Sequence, residues 1–303
     1  MELRQLSCFI VVAEELNFRR AAERLHISQP HVTRMIQALE EDLGAPLFTR
    51  TRRRISLAPA GQELLGGARD ILARARAAKM QAQRAAAGEV GILELAFVST
   101  AGVVLMPALV RAFRTQFPDV SLSLTAMTTL EQLQALREDR IQIGLLRIIT
   151  DEPGLERRIV CEERLYAIVP DGHPRAEQPS IRIRDLRDEP LIVYPRADGP
   201  VVYDRIIDHC RYAGFEPSIV QECGHNQGMT GLVAAEVGIA LAIGTPLSLA
   251  GNGVRVLNLT DDIPSWPLSL AWRVGRQSAT ATAFLNVADG MRFEGDAPMV
   301  VPQ

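Results

Sequence analysis

The sequence lacks the features that mark membrane-spanning and secreted proteins. No apolar run approaches the ~18 residues that a bilayer-spanning segment needs. The first residues, MELRQLSCFI, carry Glu2 and Arg4 and do not form the charged n-region, apolar h-region and cleavage site of a signal peptide. The cysteines, Cys8, Cys161, Cys210 and Cys223, are scattered without CxxC spacing. These absences predict a reduced, cytoplasmic protein with no membrane partner.

Motifs of catalysis and of metal binding are also missing. The chain contains no GxSxG, HExxH or P-loop sequence, and it offers no plausible pair of nucleophile and base. The segments His209-Cys210 and Cys223-Gly224-His225 match no standard spacing of zinc ligands. We therefore expect no enzymatic activity, no metal site and no cofactor.

Length and charge point to a divided chain. At roughly 100–200 residues per domain, 303 residues suggest two or three domains. Residues 1–58 hold nine arginines against seven acidic residues, residues 59–89 carry a net charge of +2, and the remainder carries −7. A basic end on an acidic body predicts that only the first part of the chain meets a polyanion.

The first 58 residues have the pattern of three helices and a hairpin. Residues 3–16 form one amphipathic helix, with Leu3, Leu6, Phe9, Ile10 and Ala13 on one face. The segment FRRAAERL is a second, short helix. A third helix begins after the predicted cap Ser28, has Pro30 in its first turn and stops at Gly44. Its inward face is predicted to carry Val32, Met35, Ile36, Leu39 and Leu43. Next, PLFTRTRRRISLA predicts two short strands around an arginine-rich turn, and hence a winged helix-turn-helix.

The third helix is the predicted DNA-reading element, because a helix-turn-helix inserts the start of its second helix into the major groove. There each base pair presents a distinct pattern of donors, acceptors and methyl groups. The side chains expected to point outward are Gln29, Pro30, His31, Thr33, Arg34 and Gln37. The wing arginines are expected at phosphates or in the minor groove, and they are Arg50, Arg52, Arg53 and Arg54. An isolated arginine run is usually a solvated loop, but its place behind this helix pair favours DNA contact.

Residues 59–89 are predicted to form one long linker helix that makes a dimer. One stripe of the segment is apolar and consists of Leu64, Leu65, Ala68, Ile71, Leu72, Ala75, Ala82 and Ala86. The stripe has too few large residues to be stable alone and is too long to stay exposed, so we expect a second copy to cover it.

Residues 90–303 alternate strands and helices, which predicts an α/β domain with a parallel sheet and helices on both faces. We expect two subdomains, the first of about 90–161 and 267–303 and the second of about 162–266. The chain is expected to cross back to the first subdomain near Trp266. A ligand of such a domain binds beyond the carboxyl ends of its strands.

The segment from Phe18 to Gly61 resembles the signature of the LysR-type transcriptional regulators. Matching apolar, cap and wing positions are Phe18, Ala21, Ala22, Leu25, Ser28, Gln29, Pro30, Ile36, Leu39, Glu40, Leu43, Gly44, Leu47, Phe48, Arg50 and Arg53. This resemblance implies a winged helix-turn-helix for residues 1–58, a linker helix, an effector-binding domain of periplasmic-binding-protein type, and a homotetramer on promoter DNA. LNFRRAAERLHISQP, GLLR and LVAAEVGIAL are similar to the branch that governs aromatic-compound catabolism.

The resemblance also implies an effector cleft. Thr100, Thr129 and Arg147 would line it from the first subdomain, and Pro200, Val202 and Tyr203 from the second. Ser99 and Thr100 open the helix after the first strand of this domain, where N–H groups favour an anion, and Asn226 follows the strand SIVQEC. The predicted effector is a small carboxylate, either an aromatic acid or a product of ring cleavage. For Arg147 a structural ion pair stays open, as does a satisfied loop pair for Asn226 and its neighbour His225.

Two other functions stay open on the sequence alone. The chain could be a small-molecule-binding protein or an α/β enzyme with an incidental N-terminal domain, or a regulator whose sensor domain has degenerated. Binding to the promoter beside its own gene would separate the regulator from the first of these.

Overall fold

The chain folds into two units, Met1–Arg84 and Ala85–Gln303. The structure, a computed structural model, describes residues 1–50, 54–147, 152–294 and 297–300. The first unit contains α1 (Leu3–Glu15), α2 (Phe18–Leu25), α3 (Gln29–Leu43), β1 (Phe48–Arg50), β2 (Ile55–Leu57) and most of α4 (Pro59–Ala86). Three helices followed by a two-stranded hairpin form a winged helix-turn-helix.

Local sequence explains where these helices begin and end. The side chain of Asn17 accepts hydrogen bonds from the N–H groups of Arg19 and Arg20, which caps α2. Gly44 ends α3 in the left-handed region at φ 67°. Ser28 precedes α3 with an extended backbone, but its side chain makes no capping hydrogen bond, so the prediction of a Ser28 cap is wrong in that detail.

The core of the first unit is built on the predicted inner faces of α1 and α3. The predicted residues Leu6, Phe9, Val32, Ile36 and Leu39 are fully buried, and so are Val12 and Leu47, which the sequence pattern did not single out. The ring of Phe48 lies 5.6 Å from that of Phe9 and 5.8 Å from that of Phe18, so the wing packs directly on the helices. Leu3 and Leu43 were expected inside, yet they are 50% and 40% exposed because they sit at helix ends beyond this core.

The linker helix α4 packs the first part of its apolar stripe, Leu64, Leu65, Ala68 and Leu72, on the core of the first unit, and it leaves Ile71, Ala82 and Ala86 exposed. Over its 28 residues only Gly61 and Ala68 are buried. Met80, further along the helix, is 60% exposed.

The second unit contains two subdomains joined by shared strands. Its elements are β3 (Gly91–Phe97), α5 (Leu105–Gln116), β4 (Val120–Ala126), α6 (Thr129–Arg137), β5 (Ile143–Arg147), β6 (Leu155–Pro170), β7 (Ser180–Ile181), β8 (Pro190–Val193), α7 (Pro200–Tyr212), β9 (Ser218–Glu222), α8 (Asn226–Ala234), β10 (Ile239–Gly244), α9 (Pro246–Leu249), β11 (Val254–Leu259), β12 (Trp266–Arg273), α10 (Ala279–Asp289), β13 (Met291–Glu294) and β14 (Ala297–Val300). The strands follow the order β4-β3-β5-β12-β6-β10-β8-β9, with β11 beside β6 and β7 beside β11.

The expected α/β fold is confirmed, but its sheet is mixed rather than parallel. Strand β3 pairs in parallel with β4 and β5, and β8 pairs in parallel with β9 and β10. The 16-residue strand β6 pairs antiparallel with β12 along its first half and with β10 and β11 along its second half. Strands β6 and β12 carry the chain between the subdomains and run antiparallel to their neighbours. The expected boundary between the subdomains, at residues 161 and 162, falls inside the continuous strand β6.

Each subdomain has its own core. The first core packs α5 and α10 on the sheet through the rings of Phe113 and Phe284, whose centroids are 5.2 Å apart. The second core includes Leu165, Leu191, Ile206 and Trp266, all buried. Within the described residues, no helix combines the length and the apolar character needed to span a membrane.

Candidate functional site

A cavity of about 360 Å³ lies between the two subdomains at the carboxyl ends of their strands. Val98 follows β3, Met127 follows β4 and Arg147 ends β5, so these residues line it from the first subdomain. Tyr194 follows β8 and Ile243 lies near the end of β10, so they line it from the second. This is the edge of an α/β sheet at which ligands bind.

Three α-helices begin at this cavity. The lining includes the first residues of α6, α7 and α8 together with the residues that cap them, Thr128, Gly199 and His225. The Thr128 hydroxyl accepts the N–H of Glu131 at 3.3 Å, and Nδ1 of His225 accepts the N–H of Gly228 at 3.0 Å. The first N–H groups of a helix have no partner within it and carry partial positive charge. Pro200 at the start of α7 has no N–H, and the N–H groups of Glu131 and Gly228 are bonded to the caps, so the other first N–H groups of these helices supply the partial positive charge at the cavity.

Most of the predicted effector residues lie on the lining of the cavity. They are Ser99, Thr100, Thr129, Arg147, Pro200, Val202 and Asn226. Tyr203 does not line it. Tyr203 follows Val202 on α7, so its side chain points about 100° away from that of Val202 around the helix. It packs against the core of the second subdomain.

The expected helix start at Thr100 is also wrong. Ser99–Gly102 form a single 3-10 turn, and α5 begins only at Leu105. Thr100 therefore has no long helix behind it, and the positive helix ends at the cavity belong to α6, α7 and α8 instead.

Arg147 is held in a buried ion pair. Its Nε lies 2.6 Å from a carboxylate oxygen of Glu163 on β6, and its Nη2 donates to the hydroxyl of Thr100 at 2.6 Å. The side chains of Arg147 and Glu163 are only 13% and 4% exposed. Burial acts to lower the pKa of Arg147, but the adjacent Glu163 carboxylate opposes it, and the pKa is raised above its usual value. The guanidinium is charged, and Glu163 neutralises it within the protein.

Asn226 belongs to a closed hydrogen-bond network. Tyr194 donates its phenolic hydrogen to Oδ1 of Asn226 at 2.6 Å and accepts the N–H of Ile243 at 3.0 Å. The Asn226 amide nitrogen donates to the carbonyl of Ile243 at 2.9 Å. Burial raises the pKa of Tyr194 to about 12, so its hydroxyl stays protonated and able to donate. Asn226 thus holds the start of α8 in place rather than presenting a free amide.

Three carboxylates reduce the positive potential of the cavity. Glu131 accepts the N–H of Thr128 at 2.7 Å, and Glu152 pairs with Arg137 at 2.6 Å. Asp198 is exposed at the rim and makes no side-chain hydrogen bond within the part of the chain that the structure describes. Among the described residues that line the cavity, the one arginine, Arg147, is already paired with Glu163.

Sequence reasoning missed Glu163 and Tyr194. An acidic residue two positions before the apolar run LYAIV, and a tyrosine that ends the apolar strand LIVY, were the available signals. Neither signal identifies a partner, because the contacts of Glu163 with Arg147 and of Tyr194 with Asn226 form only in the folded chain.

The predicted DNA-reading residues form an outward surface on α3. Gln29, Pro30, His31, Arg34 and Gln37 are exposed, and Thr33 is half-buried. The Thr33 hydroxyl donates to the carbonyl of Gln29 at 3.1 Å, one helical turn back. On the wing, Arg50 ends β1 and Arg54 is exposed just before β2, whereas Arg52 and Arg53 lie outside the described residues.

Two protein-family models match the chain, one within each unit. A bacterial regulatory helix-turn-helix protein of the lysR family matches residues 3–62, and the LysR substrate binding domain matches residues 86–291. The chain is a LysR-type transcriptional regulator.

Relatives of this regulator are matched over most of their lengths. It is 36% identical to the HTH-type transcriptional regulator TfdS of Cupriavidus pinatubonensis over 95% of this chain and 98% of the relative. It is 38% identical to AlsR of Bacillus subtilis over 79% of each chain. The crystal structure of CbnR, a LysR family transcriptional regulator, superposes with a TM-score of 0.82 at 33% identity, covering 95% of this chain and all of the other. A structure of full-length CbnR complexed with target DNA gives a TM-score of 0.80 at 32% identity over 95% and 99% of the two chains.

These similarities decide one of the two alternatives that the sequence left open, while the degenerate-sensor alternative stays open. Both matching models describe domains of LysR proteins, and the relatives are transcriptional regulators. The LysR resemblance is therefore confirmed, and the enzyme alternative is wrong. The regulator binds DNA through its helix-turn-helix and carries an effector-binding domain.

Proposed function

We propose that this regulator senses a small carboxylate, an aromatic acid or a product of ring cleavage, in the cavity between its two subdomains. The observation that carries the proposal is the convergence of α6, α7 and α8 on that cavity. Helix N-termini favour a carboxylate through partial positive charge and unpaired N–H groups. The resemblance of LNFRRAAERLHISQP to the branch that governs aromatic-compound catabolism supports the same class of effector.

The remaining walls suit the carbon skeleton of such an acid. Pro200, Val202, Met127, Leu133 and Ile243 give the cavity apolar surface on both sides. A volume of about 360 Å³ is at the small end of the range for ligand pockets, which favours a single ring or a short unsaturated chain. Thr129 adds a hydroxyl at the start of α6.

Arg147 would take part while remaining bound to Glu163. A guanidinium has five N–H donors, and the contacts to Glu163 and Thr100 each use one. The pair would orient the guanidinium and Thr100 toward the ligand, with most of the binding provided by backbone N–H groups.

Ligand binding would act on DNA through a change between the subdomains. The effector must prefer one arrangement of them, because equal affinity for two arrangements shifts neither. Residues 1–58 would form the DNA-binding domain, residues 59–89 the linker that makes the dimer, and residues 90–303 the sensor. The exposed apolar residues of α4, Ile71, Met80, Ala82 and Ala86, support a dimer, and the family resemblance supports a cytoplasmic homotetramer on promoter DNA.

Calorimetry of the full-length regulator against benzoate-like and muconate-like acids tests the effector class. We expect at least one acid to bind, and the Thr129→Val substitution to weaken binding by about 1 kcal/mol because it removes a hydroxyl of nearly the same shape. Thr115→Val is the matched control, since its hydroxyl bonds to the Arg111 carbonyl on α5 and it is not a lining residue. If no acid binds and the regulator still controls its promoter, the degenerate-sensor alternative is favoured. If Thr129→Val leaves the affinity of a bound acid unchanged, that acid occupies another place.

The proposed DNA contacts make a separate prediction. Gln can bond adenine and Arg can bond guanine with two hydrogen bonds, so Gln29→Ala and Arg34→Ala should each lower specific binding by about 1–3 kcal/mol. Binding curves on operator and scrambled duplexes measure the specificity ratio. A ratio unchanged by both substitutions would show that these side chains do not read bases.

A further inference from the structure

The last turn of the recognition helix α3 carries an acidic side chain in an unfavourable place. Glu40, Glu41 and Asp42 follow one another at its C-terminal end, and no basic residue occupies that last turn. A negative side chain is disfavoured at the C-terminal end of a helix, because that end carries partial negative charge. It is also disfavoured in a DNA-binding domain, because it repels the phosphates. Asp42 has a local partner, because the N-terminal ammonium of Met1 lies 2.6 Å from it.

Glu40 is engaged differently from its two neighbours. Its Oε1 accepts the N–H of Leu47 at 2.8 Å and the N–H of Phe48 at 3.2 Å. These are the residues at which the chain, having turned at Gly44, enters strand β1 of the wing. Within the described residues Glu41 is exposed and makes no side-chain hydrogen bond or ion pair.

Leu47 and Phe48 are the base of the wing. Leu47 is fully buried, and the Phe48 ring packs against Phe9 and Phe18. The Leu47 carbonyl accepts the N–H of Ala58, immediately after the second wing strand. Both ends of the hairpin therefore meet at Leu47, and Glu40 joins this point to the recognition helix.

The geometry points to Glu40 as a positioning residue for DNA recognition, which sets the wing relative to the recognition helix through its contacts with Leu47 and Phe48. The reading side chains occupy the start of α3 and Glu40 its end, so one rigid helix carries both. The hairpin that Glu40 anchors carries Arg50 and Arg54. Without the anchor the wing would move on its base, and its arginines would lose phosphate contacts while the reading helix kept its own.

The test uses the full-length regulator and a duplex that the wild-type protein selects from a random-sequence pool. Affinity is measured at several salt concentrations, because log affinity falls with log salt and each lost arginine–phosphate contact makes this fall less steep by about 1. The slope below means the magnitude of this fall. We expect Glu40→Ala to weaken binding about tenfold and to lower this slope by about 1 to 2. A general loss of folded protein would lower the active fraction without changing the slope.

Two near-isosteric variants separate reach from charge. Glu40→Asp keeps the charge but withdraws the carboxylate by one methylene, so it should lower the slope as alanine does. Glu40→Gln keeps an oxygen at the same reach and should restore the wild-type slope and an affinity within about threefold of it. These variants also decide the matter if the alanine variant does not fold.

Glu41→Gln is the matched control, since it removes the same charge from the adjacent position without breaking a hydrogen bond. It should leave the slope unchanged. The proposal is overturned if Glu40→Asp keeps the wild-type slope and affinity, or if Glu40→Gln loses as much as alanine does. The second result would mean that the charge of Glu40, rather than its placement of the wing, is what matters.

Discussion

Arg147→Ala is expected to lower the free energy of unfolding of the second unit by about 3–5 kcal/mol, because it leaves a buried carboxylate without a partner. The Glu163 side chain is 4% exposed, and Arg147 is the cation within 2.6 Å of it. The substitution also removes the donor that bonds the Thr100 hydroxyl in the cavity. Effector binding should therefore fall with stability.

Denaturant unfolding followed by tryptophan fluorescence measures this effect selectively. The two tryptophans, Trp266 and Trp272, both lie in the second unit. A substitution that acts there should shift the fluorescence transition, whereas unfolding of residues 1–84 stays silent in this signal.

A double variant separates stability from binding. Replacing a buried ion pair by apolar side chains of similar volume is often neutral or stabilising, so Arg147→Met with Glu163→Leu should recover most of the lost stability. It should not fully recover binding of an acid that the wild type binds, because the guanidinium N–H donors and their hydrogen bond to the Thr100 hydroxyl are still missing. Recovery of both would place the effector away from Arg147. A single alanine variant as stable as the wild type would contradict the buried pair itself.

Gly61→Ala is expected to destabilise the first unit by about 3 kcal/mol, since its new methyl group has no room. A Cβ at this position would lie 2.2 Å from the carbonyl oxygen of Leu47 and 3.0 Å from a methyl carbon of Leu57. The nearest of these atoms is backbone at the base of the wing, so it cannot move aside as a flexible side chain would. We expect the first turn of α4 to shift and DNA affinity to fall.

Gly66→Ala on the same helix is the matched control. A Cβ there meets nothing within 4 Å in the chain, so alanine should stabilise α4 by roughly 0.5–1 kcal/mol through its higher helix propensity. Hydrogen exchange of residues 1–84 reports the stability of this unit, which contains neither tryptophan nor tyrosine. Equal protection of α1 to α3 in the two variants would mean that α4 does not press on Leu47 as the distances indicate.

The sequence by itself determined the elements whose signals are local. The 3.6-residue spacing of apolar side chains, Pro30 in a first turn and Gly44 after a last turn give α1, α2 and α3 nearly to the residue, because these signals act within one helical turn. The outward face of α3 follows from the same spacing. The LysR resemblance rested on positions in this segment, and the fold class that it implied for the rest of the chain is confirmed.

Only the tertiary structure decided which side chains meet. Three features depend on residues far apart in the chain. They are the pairing of β6 with strands of both subdomains, the ion pair of Arg147 with Glu163, and the packing of Tyr203 on the core rather than at the cavity. The same is true of α6, α7 and α8, which begin at one cavity although their first residues are separated by 71 and 26 positions. Such contacts follow from how strands are ordered and how helices lie on the sheet, and local spacing carries no information about either.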